Sequence, residues 1–585
     1  MSRCPLTKLP LVSSLLSLFS VSAVPVWLRE YQLANLPSDV IAGLVVGILV
    51  IPQSLGYAAL AGLPPEYGLY AAIVPVLVYA WAGASMVQAV GPVAIAAIMT
   101  ASSLAPYADR GVAVYVSMAS LQAVLVGVML CLAGWLKLGW ITQFISRGVA
   151  SGFISGAAVL IFISQLKYVT GVPFSGNTLL SYLHGFIGHI HQLHGLTTLL
   201  GAVGFVLLLL NRHSKGWLWG FWLNQADAKW AGRLFPLALV VIFIGLSHLF
   251  GWGDQGVKVI GIIPSGLPHW SLPAMPKVDE LMTLLPNVGL MALIIFVSSH
   301  SVASHYARLR RERFDASLEL KGLGLANLVG GFFQSFAIAG GVSRTAINVD
   351  SGAKSPIASV VTVGVMVSAL LVLGPLMSPL PYALLGATIM SSVIGLIDWR
   401  TFIHAWRVDR LDAISFLVTF VAVLVFGLNM GLVLGLLASF ASLIWQSSQP
   451  HIAIVGVLEG TEHFRNINRH DVQTFDNLLI MRIDESLFFG NSESVQMQLF
   501  SAIKTKPQAS EIIIIMSAVN HIDLTAQEML IELNHALVSQ NKRLHYAVIK
   551  GPVMDVIEHT DVIKQLSGKV YLSTIKAVQE LKKIA

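Results

Sequence analysis

Charged side chains are scarce in this chain, making up 11% of its 585 residues, less than half of the roughly 25% usual in soluble domains. That scarcity, with 55% hydrophobic residues and a mean hydropathy of +0.74, excludes a soluble domain alone and describes a protein that crosses a membrane many times. Cysteine is almost missing. Cys4 and Cys131 lie far apart, which excludes a disulfide framework and a Cys-X-X-Cys metal site. No segment gathers a nucleophile, a base and an orienting partner, or a set of metal ligands, so the reading is of a non-enzyme with no cofactor and no metal. The net charge of +6 comes from basic residues scattered through short loops rather than gathered in a patch, which argues against a nucleic-acid partner.

What the chain has instead is apolar segments, about 14 by hydropathy, following one another from about residue 40 to 448. Many are shorter than the roughly 20 residues of a full crossing, as between Gly91 and Pro106. They fall into two halves of about seven, the first running to Trp252 and the second beginning near Pro286. The third segment of each half is broken, by Gly91-Pro92-Val93 in one and by Gly340-Gly341-Val342-Ser343 in the other. Inverted repeats set two such broken helices against each other near the bilayer midplane. Each break frees backbone N–H groups at the positive end of a helix dipole, a setting that suits an anion. Arg344 directly follows the second break in a nearly uncharged stretch. A cation at that depth costs about 2.5–3.5 kcal/mol unless protein or water receives it, so its first reading is functional and its alternative a structural pair with a carboxylate such as Asp350.

Residues 9–21, preceded by Arg3 and Lys8, loosely imitate a signal peptide, but serines interrupt them and prolines bound them, so residues 1–38 are expected to stay as a cytoplasmic segment. With an even number of spans, Arg212, Lys215, Lys229, Arg233, Arg308, Arg310, Arg311, Arg313, Arg400, Arg407 and Arg410 all fall on one side, which the positive-inside bias makes cytoplasmic along with both termini. A transport domain over 39–449 then gives way, after Trp445-Gln446-Ser447-Ser448-Gln449-Pro450, to a separate domain over 450–585 where charges return. There, residues 478–483, 512–516 and 544–549 read as strands, and 526–539, 553–558 and 575–581 as helices, an α/β alternation.

Several motifs together resemble the sulfate permease (SulP) family over nearly the whole chain. They are Ile51-Pro52-Gln53; Gly62-Leu63-Pro64-Pro65-Glu66-Tyr67-Gly68-Leu69-Tyr70; Gly83-Ala84-Ser85 through Gly91-Pro92-Val93-Ala94; Glu319-Leu320 with Gly322-Leu323-Gly324-Leu325-Ala326-Asn327; and Gly341-Val342-Ser343-Arg344-Thr345-Ala346-Ile347-Asn348. Leu318 stands where the family often has glutamine. The C-terminal domain resembles STAS domains. The resemblance implies an α-helical membrane protein of about fourteen transmembrane segments, arranged as a seven-plus-seven inverted repeat of core and gate domains, with a small cytoplasmic α/β STAS domain. It further implies a homodimer embedded in cell (inner) membrane lipid, carrying a small anion by an elevator motion.

Carried onto this chain, the substrate site consists of Gln53, Tyr57, Val93, Ala94, Ser343 and Arg344. Many proton-coupled relatives have a glutamate on the eighth segment where this chain has Ser298. A serine carries no proton at physiological pH, which favours anion exchange or uncoupled flux over proton symport. His300 lies about 200° further around the helix and is a poor substitute. Thr525 occupies the position phosphorylated in related STAS domains, although Ile515 and Ala526 depart from that motif.

Plainer readings stand beside these. Gln53 could satisfy the carbonyl freed by Pro52, Tyr57 could be simple packing, and Asp523 and Thr525 could cap a helix. His184, His189, His191 and His194 cluster without a cysteine or carboxylate, as in a solvated loop. The leading function is secondary transport of sulfate, bicarbonate, chloride or a dicarboxylate. The alternatives are a nucleobase carrier of the same fold and a signalling protein that senses anions and acts through its STAS domain.

Overall fold

The computed structural model describes residues 25–29, 31–213, 225–261, 264 and 266–582. The signal-like stretch at residues 9–21, with Arg3, Cys4 and Lys8, lies outside the described residues, as does Lys215. The chain forms two compact units, residues 1–439 and 440–585, the division falling within a helix upstream of the composition change at Pro450.

The first unit is helical apart from a short ribbon. Its first seven labelled helices are α1 (Leu36–Leu60), α2 (Val74–Ala82), α3 (Ala94–Leu104), α4 (Val112–Trp135), α5 (Arg147–Ser164), α6 (Gly195–His213) and α7 (Gln225–Phe250). The second seven are α8 (Val278–Arg310), α9 (Ala316–Phe332), α10 (Val342–Asp350), α11 (Ile357–Ser368), α12 (Tyr382–Ile394), α13 (Arg410–Phe426) and α14 (Leu428–Ser448). Seven helical stretches among the described residues are long and apolar enough to cross a membrane outright, and several shorter apolar ones accompany them. The second half begins earlier than expected: Pro286 lies inside α8. Asp279 and Glu280 in the first turn of that helix complement its dipole and extend it upstream of the proline.

Two packed groups emerge. In one, α1 meets α3, α10 and α11 while α9 meets α2 and α4; in the other, α5 meets α12 and α13 while α6 meets α7 and α12. Small residues set these approaches, since a Cβ on Gly127 of α4 would fall 2.3 Å from the Leu328 nitrogen of α9. The ribbon joins β1 (Val90–Gly91) to β2 (Ala339–Gly340), antiparallel, with Val90 opposite Gly340 and Gly91 opposite Ala339.

The second unit is a six-stranded sheet in the order β4-β3-β5-β6-β7-β8. Its strands are β3 (Ile452–Val457), β4 (Phe464–Asn466), β5 (Leu478–Ile483), β6 (Glu511–Ile515), β7 (Arg543–Ala547) and β8 (Val570–Tyr571). β3 pairs antiparallel with β4 and β5, and the remaining pairs are parallel. The helices are α15 (Ser492–Lys504), α16 (Leu524–Val538), α17 (Gly551–Ile557) and α18 (Thr574–Lys582). Ile512 and Ile514 pack into one apolar layer, with Leu530 and Val553, and Ile513 and Ile515 into the other, with Ala577 and Val578. Because side chains alternate across a strand, a central strand covered on both faces reads as an unbroken run of isoleucine.

Candidate anion-binding site

Each break in the first unit becomes a strand followed by a helix N-terminus. Val93 is the N-cap residue of α3 and Gly341 that of α10, and neither helix has a side-chain cap. The first N–H groups of both helices, Ala94 onward and Val342 onward, therefore lack intrahelical partners. The ribbon brings the two ends together, and the Gly341 N–H donates to the Ala89 carbonyl at 3.0 Å.

Arg344 lies across this junction. It is 4% exposed and its Nη2 is buried without a hydrogen-bond partner. Glycines make room for it. Gly91 has φ +150°, a value that favours glycine, and a Cβ there would come 2.9 Å from Arg344 Nη1. At Gly341 a Cβ would come 2.5 Å from Arg344 Nε.

The remaining predicted residues differ in exposure. Val93 is half-buried, Ala94 buried and Ser343 exposed. Tyr57 on α1 is buried within electrostatic reach of Arg344. Gln53, half-buried one turn earlier, makes no hydrogen bond among the described residues, so it does not serve the carbonyl freed by Pro52. Ser298 on α8 is half-buried and its hydroxyl donates to the Ile295 carbonyl at 3.2 Å. It lines a cavity of about 600 Å³ with Ile95, Val342, Arg147 and Arg308. Arg344 instead lines a separate void of about 10 Å³ between α1, α2 and α11, too small for an anion. His300 packs between Phe296 and Phe314.

Sequence reasoning passed over the polar residues that hold the two breaks together. The Ala89 N–H donates to Thr345 Oγ1 at 3.1 Å, and Asn348 Nδ2 to the Val87 carbonyl at 2.8 Å. The Gly340 N–H donates to Ser299 Oγ at 2.9 Å, and Asn327 bonds both the N–H and the carbonyl of Ile338. Thr345 and Asn348 carried a signal, as polar residues within a few positions of a break, whereas Ser299 and Asn327 sit on other helices and carried only that of buried polar residues in apolar segments.

Elsewhere, His189 Nδ1 lies 2.9 Å from the Gly185 carbonyl and His194 Nδ1 2.7 Å from Thr197 Oγ1. Among the described residues no three histidines, cysteines or carboxylates converge on a metal position. In the second unit Asp523 caps α16 by accepting the Ala526 N–H at 2.9 Å, and Thr525 is exposed in the first turn.

Comparison with known proteins places this geometry in a family. Residues 36–419 match the model of the sulfate permease family, and residues 469–577 match the STAS domain. Sulfate transporter 4.1, chloroplastic, of Arabidopsis thaliana is 32% identical over 91% of this chain and 79% of its own length. A probable sulfate transporter of Mycobacterium tuberculosis is 28% identical over 95% of this chain and 97% of its own. The fold matches murine solute carrier 26 family member A9, an anion transporter solved in an inward-facing state, with a TM-score of 0.84 at 22% identity over 100% of this chain and 96% of that one. It also matches the transmembrane domain of the cyanobacterial bicarbonate transporter BicA, with a TM-score of 0.58 at 20% identity over 70% of this chain and 98% of that one. By motif, fold and these matches, the chain belongs to the sulfate permease family.

Proposed function

We propose that this protein is a secondary transporter of small anions, with sulfate as its first candidate substrate, and that the anion binds between the N-termini of α3 and α10. The observation that carries the reading is the buried guanidinium of Arg344, its Nη2 without a hydrogen-bond partner, beside two uncapped helix ends. Free backbone N–H groups, the Ser343 hydroxyl and the Gln53 amide supply donors, while Arg344 offsets charge without closing a tight ion pair. Weak, many-donor binding is what a carrier needs, since it must release its anion. Sulfate comes first because the relatives described above are named sulfate transporters.

An elevator motion accounts for the mismatch between the large cavity and the tiny void at Arg344. The group containing α1, α3 and α10 would carry the site past α5 and α13, opening Arg344 to one side at a time. By the basic-loop argument, the cavity flanked by Arg147 and Arg308 faces the cytoplasm. The protein would act as a homodimer in a cell membrane, with residues 39–449 as its transport domain, 450–585 as its cytoplasmic STAS domain and Thr525 as a candidate phosphorylation position. A nucleobase carrier would want carboxylates at the breaks, and neither 90–104 nor 340–348 contains one.

The test is labelled sulfate uptake into proteoliposomes of the purified chain. Bicarbonate, chloride and succinate are added as competitors, across a pH step and with or without sodium. Saturable uptake with competition supports transport, and the competitor pattern ranks the substrates. Sulfate binding without any flux would instead favour a sensor acting through the STAS domain.

A further inference from the structure

Glu319, near the start of α9, is wholly buried and meets a phenol 240 positions earlier in the chain. Its Oε1 and Oε2 lie 3.0 and 2.8 Å from Tyr79 Oη, and Oε2 also accepts the Ala84 N–H at 3.3 Å. The same phenol oxygen lies 2.9 Å from Gln88 Oε1. The far end of Gln88 fixes which way its amide points: Nε2 is 3.2 Å from the Ser299 carbonyl oxygen, an acceptor that only an N–H approaches so closely. Oε1 therefore faces Tyr79.

The proton count is then short by one. A phenol has a single proton, yet acceptor oxygens of both Glu319 and Gln88 surround it. With Glu319 ionised, Tyr79 serves one of them and leaves two bare oxygens in contact in a buried site. A proton on the Glu319 carboxyl supplies the missing donor. Glu319 O–H donates to Tyr79, Tyr79 O–H to Gln88 Oε1, Gln88 Nε2–H to the Ser299 carbonyl, and the Ala84 N–H keeps Oε2.

The surroundings supply no counter-charge. From α2 the facing titratable group is Tyr79 itself. On α4 it is Cys131, whose thiol lies at the Lys321 carbonyl. On α8 it is His300, held between two phenylalanines. The 3-10 segment Leu138–Phe144 carries no titratable side chain, and Lys321 on α9 lays its stem against Gly134 of α4. Among the described residues Glu319 has no cationic partner.

We propose that Glu319 is a proton-binding site of the transport domain, occupied in this conformation and read out at the anion site through Tyr79, Gln88 and Ser299. Ser299 Oγ accepts the N–H of Gly340 in β2, and the Gln88 amide fills the space beside Gly340, where a Cβ would fall 1.8 Å from Nε2. Loss of the proton turns Tyr79 to the carboxylate and leaves Gln88 without its donor, one step from the ribbon that aligns both helix ends. The site differs from position 298, where the resemblance had looked for a glutamate. Its link to transport rests on the anion-carrier reading, whereas the proton itself does not.

Glu319→Gln keeps a donor toward Tyr79 and an acceptor toward Ala84, so it preserves the fold. Infrared spectra of the full chain in lipid at neutral pH are expected to lose one protonated carboxylic-acid band in Glu319→Gln; loss of a carboxylate band, or no change, overturns the proposal. In proteoliposomes, wild-type sulfate uptake is expected to fall as pH rises through the titration of Glu319. Glu319→Gln should lose that dependence and Glu319→Asp regain it. An unchanged pH profile in Glu319→Gln overturns the coupling. If the wild type moves no anion, the transport reading fails, and the infrared comparison still decides the proton.

Discussion

At the scale of single residues, Arg344 contributes most when nothing pairs with it. Hydrogen bonds to charged groups contribute about 1.5–3 kcal/mol, so Arg344→Ala is expected to lower uptake at subsaturating anion roughly tenfold to hundredfold while the chain folds normally. Uptake equal to wild type would remove Arg344 from the site. Sequence made Arg344 visible because a cation in an apolar run has no local excuse. It named Glu319 only as part of a motif and gave it no role, because what matters there is a phenol far away in the chain. His545 shows the same limit in the STAS domain. Its Nδ1 accepts the Lys569 N–H at 3.0 Å and its Nε2 lies 2.7 Å from Glu511 Oε2, an arrangement that fixes the neutral Nε2–H tautomer. Burial pushes the imidazole below its usual value, against the pull of the Glu511 carboxylate. A base with a depressed folded pKa adds its full stability above its unfolded value of about 6.5 and loses it as pH falls toward the folded one. Protection factors for amide exchange in β6 and β7 of the intact chain, corrected for the intrinsic rate at each pH, are therefore expected to fall below that pH, and in His545→Gln the acid sensitivity should shrink.

At the scale of elements, the ribbon depends on bonds that no local propensity encodes. Thr345→Val keeps the shape but leaves the Ala89 N–H buried without a partner, which costs about 1–3 kcal/mol. A lower melting temperature in detergent, with sulfate affinity reduced alongside it, is the expected result. A variant as stable as the wild type would mean the ribbon holds without that bond. The breaks themselves were legible, since Gly-Pro and Gly-Gly pairs weaken a helix locally and mark turns. In the STAS domain, β5 and α16 were legible within a residue or two from run length and spacing. β3, β4, α15 and β8 were not, because edge strands and a helix with exposed polar positions lack a strong apolar signature.

At the scale of the whole molecule, the two packed helix groups leave between them a cavity of about 600 Å³, where Val342 is 49% exposed. A thiol placed there reports on the site directly. Val342→Cys is expected to react with a membrane-impermeant maleimide added on the Arg308 side, and sulfate should slow the reaction. Labelling only from the opposite side would reverse the orientation argued from loop charge. The grouping of helices was not readable from hydropathy, because all of them are apolar and lipid and protein faces look alike to such a count.

The amino-acid sequence by itself determined the membrane class, the paired breaks, the lone arginine and the α/β character of the C-terminal domain, because each follows from composition or periodicity within a short window. Only the tertiary structure decided that Val90 would face Gly340, that Gln88 would bridge Tyr79 to Ser299, and that Glu319 would be enclosed without a cation. The segments so joined lie more than 200 positions apart, Tyr79 from Glu319 and Gln88 from Ser299. Their stability comes from satisfying buried polar groups against one another, a condition that exists only once distant segments have met.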